Sequence, residues 1–460
     1  MSLVLCVDFG STFTKAALVD EVSGELIGTA GHRTTLPDDE GRGDVLDGLD
    51  ACRRELGRTH PEVGDAEVLA CSSAGGGLRI AVVGSEELVT AEAGRRVALS
   101  SGGKVVAVLS RASDDALYRD LGHTTRPDVV LLTGGTDGGD PDGLLLGARR
   151  IASSGWHGPV VVAGNAAAQD EAVSLLAGLP VIVTDNVVPR IGVLEPEPAR
   201  RAIREMFLAH VIGGKGLSRR TDFTAMVRGA TPDLVLTGVE VLAAVTGGNG
   251  VVVVDVGGAT TDVHSVVRLD PEDAGLSREV VASTPVTRTV EGDLGMRWSA
   301  VSTWEAAHRA GLLGEDLRPA VVRRTADPAF LPGTEAERRE DEEIAAAAAL
   351  LALRRHVGRS RVVVGPGGRV VERTGKDRRE VGLLVGSGGV LRHANTDGVA
   401  QILASLTGRS PEGWQLPEHP RLVVDRDYVL AAVGLLAERR PEAAAALARS
   451  LSACAETPAS

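Results

Sequence analysis

Two stretches of this chain repeat one another, and the repeat limits the folds open to it. Residues 4–15 read VLCVDFGSTFTK and residues 251–262 read VVVVDVGGATTD. Asp8 aligns with Asp255, Gly10 with Gly257, Thr14 with Thr261, and Lys15 falls opposite Asp262. Each copy is an apolar run that ends at Asp, turns through Gly and small hydroxyl residues, and re-enters an apolar run. That pattern predicts a β-hairpin whose turn wraps a polyphosphate, because glycine lets backbone N–H groups face the anion without an intervening Cβ. A carboxylate at the strand end repels phosphate, but it suits Mg2+, which keeps part of its water shell. One such turn is common. Two of them, with Asp255 lying 247 positions after Asp8, predict a phosphate clamp that works from both sides.

The 460 residues exceed the size at which one core stops growing, so at least two domains are expected. Aromatics make up only 2% of the chain, which leaves the cores to Val, Leu, Ile and Ala. The net charge is −13, and basic residues do not cluster with aromatics, so no nucleic acid is expected as a main partner. Cys6, Cys52, Cys71 and Cys454 form no CxxC pair and read as buried hydrophobes in a reducing compartment. No apolar run reaches the roughly 18 residues a membrane span requires, and no leader is visible, so a cytoplasmic protein with no membrane association is expected.

Short Val- and Leu-rich runs at 3–7, 68–71, 105–109, 129–132, 160–163, 181–183, 251–254 and 381–385 read as strands covered on both faces. Helices are expected at 199–211, 337–356 and 428–438. Residues 37–44, 269–278 and 367–380 read as surface loops or hairpin tips, and the tail from Ser450 as frayed. The boundary between halves falls at Gly247–Gly250. A first lobe over 1–247 then holds one acidic hairpin and an inserted α/β segment. A second lobe over 248–425 holds the other hairpin, and 426–460 returns toward the first lobe. No GxxxxGK[ST] is present, and no GxGxxG follows a strand. Asp262-Val263-His264 mimics the start of a cobalamin-binding DxHxxG, but Val267 stands where its glycine belongs.

The paired turns resemble the two phosphate motifs of the actin, sugar kinase and heat-shock chaperone ATPase superfamily. Residues 383–394, LLVGSGGVLRHA, resemble its third, adenosine-facing motif. The runs DFGSTFTK, LLTGGTDGG, VVAGNA, VDVGGATTDVHS and RTVEGDLGMR are similar to those of the glutamate mutase accessory proteins known as the GlmL or MutL family. The resemblance covers residues 3–436. It implies an α/β fold of two duplicated, ribonuclease H-like lobes with a nucleotide cleft between them. It also implies ATP and Mg2+ as cofactors, slow hydrolysis, and subunits of an adenosylcobalamin-dependent mutase as partners, with self-association also open. The role implied is ATP-driven reactivation of that mutase; a small-molecule kinase or a nucleotide-dependent scaffold of the same fold are the alternatives.

On that reading Asp8 and Asp255 hold the metal, and Asp262 is a third catalytic carboxylate near the phosphates. Gly10, Ser11, Thr12, Gly257, Gly258, Thr260 and Thr261 supply phosphate donors, and Gly386, Ser387, Gly388 and Gly389 pass close to the nucleoside. Lys15 either neutralises phosphate or points to solvent. Asp255 or Asp262 positions the attacking water through the metal shell. The 134–139 loop is either a further anion-facing turn or an ordinary tight loop. Glu291 and Asp293 sit in a Gly-flanked acidic loop, where a partner-facing or capping role stands level with catalysis, and they are not named catalytic. His264 shares a face with Asp262 and is expected to have a satisfied hydrogen bond.

Overall fold

A computed structural model describes residues 2–38, 40, 42–268, 284–365, 368–453, 455 and 456. The expected loop at 269–278 and Cys454 lie outside these. The chain divides into two compact units. Unit 1 takes the residues up to Thr237 with Thr284 and Gly434–Arg440, and unit 2 takes the remainder. Two of the boundaries, after Thr237 and before Gly434, fall inside helices, Thr231–Thr246 and Val429–Ala437.

Unit 1 opens with a meander of β1 (Leu3–Phe9), β2 (Phe13–Asp20) and β3 (Leu26–Arg33). β4 (Glu67–Ser72) then runs parallel to β1. Next comes a separate parallel sheet of β5 (Leu78–Val83), β6 (Gly103–Leu109), β7 (Val129–Leu132), β8 (Val160–Val162) and β9 (Val181–Val183), ordered β6-β5-β7-β8-β9. The chain returns through β10 (Val227–Ala230), which completes the first sheet in the order β10-β4-β1-β2-β3.

Unit 2 repeats the first arrangement. β11 (Gly250–Val256), β12 (Thr261–Val267) and β13 (Val286–Glu291) form the antiparallel meander. After a hairpin of β14 (Arg359–Gly365) and β15 (Gly368–Thr374), β16 (Leu383–Ser387) and β17 (Arg421–Val424) add in parallel. A two-residue β18 (Ala455–Glu456) pairs with the edge. The order β13-β12-β11-β16-β17 therefore matches β3-β2-β1-β4-β10 strand for strand.

Burial follows from these positions. β1 and β11 sit centrally, and Val4, Leu5, Val7, Val251, Val252, Val253 and Val254 are fully buried. β6 and β9 end the inserted sheet, so residues 105–108 and Val181–Val183 are partly exposed rather than covered on both faces, while Leu109 is buried. Residues 368–374, part of the 367–380 stretch expected as a surface loop or hairpin tip, form β15, one arm of a hairpin. The helix of unit 2 starts at Glu335, two residues earlier than expected, because Thr334 and Glu337 form a reciprocal capping box. Its alanines, including Ala345, Ala348 and Ala349, are buried against the sheet. The tail holds a helix to Ala453 with Leu451 buried, so Ser450–Ala453 does not fray. Cys6, Cys52 and Cys71 are buried free thiols as expected, and burial pushes those of Cys6 and Cys52 up to about 12.

Two histidines lie inside unit 2. His356 meets the Ser265 hydroxyl at 2.8 Å and the Thr289 hydroxyl at 2.9 Å. His264 is buried, and its Nδ1 has no partner among the described residues, against the expectation of a satisfied ring. Burial, aided by Arg288, lowers the His264 pKa to about 3. A histidine held neutral stabilises the fold fully above its unfolded pKa near 6.5, and that contribution is lost as pH falls. Urea unfolding should therefore show unit 2 losing about 2 kcal/mol between pH 7.5 and pH 5 through His264, and His264→Gln should remove that part of the slope.

Candidate functional site

In unit 1 the turn between β1 and β2 is closed by Gly10 N–H donating to the Phe13 carbonyl at 3.1 Å. In unit 2 Gly257 N–H donates to the Thr260 carbonyl at 2.9 Å. A Cβ on Gly10 would stand 2.6 Å from the Phe13 oxygen, and one on Gly257 would stand 2.9 Å from the Thr260 oxygen. Glycine is required at both positions by this close approach rather than by an unusual φ.

The outward carbonyls of each turn are taken from behind. Thr34 donates its hydroxyl to the Gly10 carbonyl at 2.8 Å and its N–H to the Thr12 carbonyl at 2.9 Å. In unit 2, Met296 N–H reaches the Gly257 carbonyl at 3.0 Å and Arg297 N–H the Gly258 carbonyl at 2.8 Å, while the Ser299 hydroxyl reaches the Ala259 carbonyl at 2.7 Å. Gly295 makes this possible, since a Cβ there would meet the Ala259 backbone at 2.6 Å. The N–H groups of Ser11, Thr12, Gly258 and Ala259 have no acceptor among the described residues. Each turn thus leaves two adjacent backbone N–H groups without a protein acceptor, donors of the kind that can serve an anion.

Asp8 ends β1 with its carboxylate engaged on both oxygens. Thr231 at the start of its helix donates to Oδ1 at 2.6 Å, and the Cys71 thiol approaches the same atom at 3.7 Å. Lys15 Nζ lies 3.5 Å from Oδ2. The lysine therefore pairs with Asp8, and neither expected alternative describes it fully. Cys71 lies opposite Asp8 in the ladder, and its thiol is raised well above the usual range by burial and by that carboxylate.

Asp255 ends β11 at the matching position, half-buried, with Ser387 opposite it in the ladder. Gly386 lies within β16 opposite Val254, and Gly389 opens the short helix Gly389–His393. Gly388 has φ +111°, and a Cβ there would overlap the Val256 carbonyl, so only glycine lets the two strand ends come this close. Asp425, which sequence reading missed, follows β17 and is 2% exposed. Its oxygens accept the N–H groups of Val429 at 2.9 Å and Leu430 at 3.1 Å, and so cap the last long apolar helix. Burial, with Asp255 nearby, holds its carboxyl up at about 6. Asp425, shortly ahead of the apolar helix expected at 428–438, was the available signal. Beyond the boundary in the same helix, Gly434 packs against the Leu234 carbonyl within unit 1.

Asp262 and Thr261 are placed differently from the expectation. Asp262 accepts Arg288 Nε at 2.9 Å, and Arg288 is 95% buried, so this carboxylate is already neutralised inside unit 2. Thr260 donates to its other oxygen at 3.1 Å. The Thr261 side chain is fully buried and donates to the Leu294 carbonyl at 3.0 Å, which removes it from the surface donors. Glu291, at the end of β13, and Asp293, in the loop that follows, are gripped by Arg355 near a helix end at 2.6–2.9 Å.

Two sheets of identical order, each with an acidic strand end beside a glycine turn, define a duplicated, actin-like α/β fold of the ribonuclease H type. Comparison with known proteins adds the family. The MutL protein family model matches residues 4–451. Protein MutL of Clostridium tetanomorphum is 36% identical over 459 residues, spanning 96% of this chain and 98% of that one. The chain belongs to the MutL protein family. Among solved structures, a nucleotide-free acetone carboxylase aligns over 95% of this chain and 70% of its own, at 14% identity and a TM-score of 0.40. Xylulose kinase from Lactobacillus acidophilus covers 99% and 92% at 11% identity and 0.35. The ethanolamine utilization protein EutJ from Carboxydothermus hydrogenoformans covers 95% and 89% at 10% identity and 0.30. At these scores the fold rests on the strand order. No helix among the described residues is long and apolar enough to cross a membrane.

The bond from Thr231 to Asp8 is the local support most open to test. Thr231→Val leaves a mostly buried carboxylate oxygen short of its closest donor, which should destabilise unit 1 by about 1–3 kcal/mol. Thr231→Ser should restore most of this in a denaturant titration.

Proposed function

We propose that this chain binds MgATP through its two turns, hydrolyses it slowly, and serves as an accessory, reactivating factor for an adenosylcobalamin-dependent mutase. The observation that carries the nucleotide reading is the matched pair of turns. In both, the carbonyls are tied back by Thr34 or by residues 296–299, and adjacent N–H groups are left without protein acceptors. Backbone donors in that arrangement favour a negatively charged oxygen over water, and a glycine surface admits it closely.

The carboxylates fit a hydrated cation better than a stripped one. No group of three or more His, Cys, Asp or Glu able to hold a metal exists among the described residues. That matches Mg2+, which binds through one or two carboxylates, waters and phosphates. Asp8 already has protein donors on both oxygens, so its role is to orient Lys15 and the turn. Asp255, close enough to Asp425 to raise its pKa, is the carboxylate we assign to the cation's water shell. Magnesium, when bound, offsets the charge of the phosphate oxygens. The turn amides position those oxygens, and Lys15 lies within reach of the same charge in unit 1. Membership of the MutL family supports the mutase as partner.

Calorimetry should show magnesium-dependent uptake of ATP by the full chain. Asp255→Asn should lower hydrolysis by about a hundredfold with little change in unfolding midpoint, and Gly257→Val should abolish uptake. Absence of any magnesium-dependent ATP binding by folded protein would end the nucleotide reading. Incubation with an inactivated mutase, ATP and fresh adenosylcobalamin should restore mutase turnover. A protein that binds and hydrolyses ATP yet restores nothing would refute the accessory role alone.

A further inference from the structure

The inserted sheet of unit 1 has no part in the reading above. Its order β6-β5-β7-β8-β9 reverses direction at β5, with β6 on one side and β7 on the other. Parallel α/β sheets bind ligands outside the carboxyl ends of their strands, at the point where the order reverses. Here the segments leaving β5 and β7, together with residues 188–193 beyond β9, line a cavity of about 320 Å³. That is within the range of small-ligand sites, roughly 300–1,000 Å³.

The walls are fixed by their own bonds. The Thr90 hydroxyl accepts the N–H groups of Ser85 at 2.8 Å and Glu86 at 3.1 Å, and lies 2.9 Å from Glu86 Oε2, to which it donates. Gly135, at φ +65°, brings its chain against Asp140, where a Cβ would stand 2.6 Å from the Asp140 carbonyl. Asn186 holds the Gly135 carbonyl at 3.0 Å. The 134–139 loop is therefore a braced wall.

Its chemistry selects the ligand. Glu86 and Asp140 are the charged residues of the lining, and no Lys, Arg or His is among them. An anion would face two carboxylates with no counter-charge, so the loop is not a phosphate turn. A zinc-type ion, which takes three or more protein ligands, would lack a third one, since no such group occurs among the described residues. The lining also carries apolar side chains: Val89, Val193 and Val188, the last 4% exposed, with Ile191 at 90% exposure. An aliphatic body against the valines and a positive nitrogen against the carboxylates satisfy both halves.

We propose that this cavity binds a small organic ammonium ion, its charge paired with Glu86 and Asp140 and its aliphatic part on Val188 and its neighbours. The site does not depend on nucleotide. Saturation-transfer NMR on the full chain, without ATP, should show n-butylammonium binding, with butyrate and n-butanol much weaker. The double variant E86Q/D140N should weaken butylammonium about tenfold or more. If that variant fails to fold, Ile191→Trp, on an exposed position, should reduce binding by narrowing the entrance. Equal binding of butyrate or butanol, undiminished binding in folded E86Q/D140N, or no transfer to butylammonium would each overturn the assignment.

Discussion

The hydrogen bond that closes each acidic turn, from Gly10 to Phe13 and from Gly257 to Thr260, sets the direction of the other amides in those loops. Once that bond forms, the carbonyls of the turn face the body of the unit, where Thr34 or residues 296–299 accept the task of holding them. The remaining N–H groups of Ser11, Thr12, Gly258 and Ala259 are left without protein acceptors among the described residues. On the proposed reading, the anion-binding device comes from how the hairpin is braced and needs no basic side chain at the turn itself.

The two copies share this backbone device and differ in the side chains around it. Asp8 is surrounded by donors: a hydroxyl, a thiol and an ammonium. Asp255 instead neighbours a second carboxyl, Asp425, at the equivalent of the Thr231 position after the fifth strand. The two units thus share strand order and turn geometry but differ at the residue that follows the fifth strand, Thr231 in one and Asp425 in the other.

The strand–turn–strand repeat was legible because its residues are contiguous and period and turn chemistry agree. The central strands were legible for the same reason, being continuous apolar runs. What escaped was whatever depends on partners distant in sequence. Thr261 reads as a turn hydroxyl, but its oxygen meets Leu294, 33 residues on. Asp262 reads as a free charge until Arg288 arrives from the next strand. The edge positions of β6 and β9 follow from strand order, which the local pattern does not encode. The run RTVEGDLGMR was visible as a motif, whereas its use as a brace for the second turn needed the fold.

β4 and β10 are neighbours in one sheet, yet residues 73–226 lie between them. A parallel pair always needs a crossover, so an entire domain can occupy that connection at a closure cost rising only logarithmically with length. The order of events in synthesis is affected more than the final stability. The meander β1–β3 and the inserted sheet can each complete from local contacts, but the last strand cannot join until the whole insertion has emerged. Until then the edge of β4 is open, and a nascent chain stalled at that stage is the form most prone to pair with its own kind.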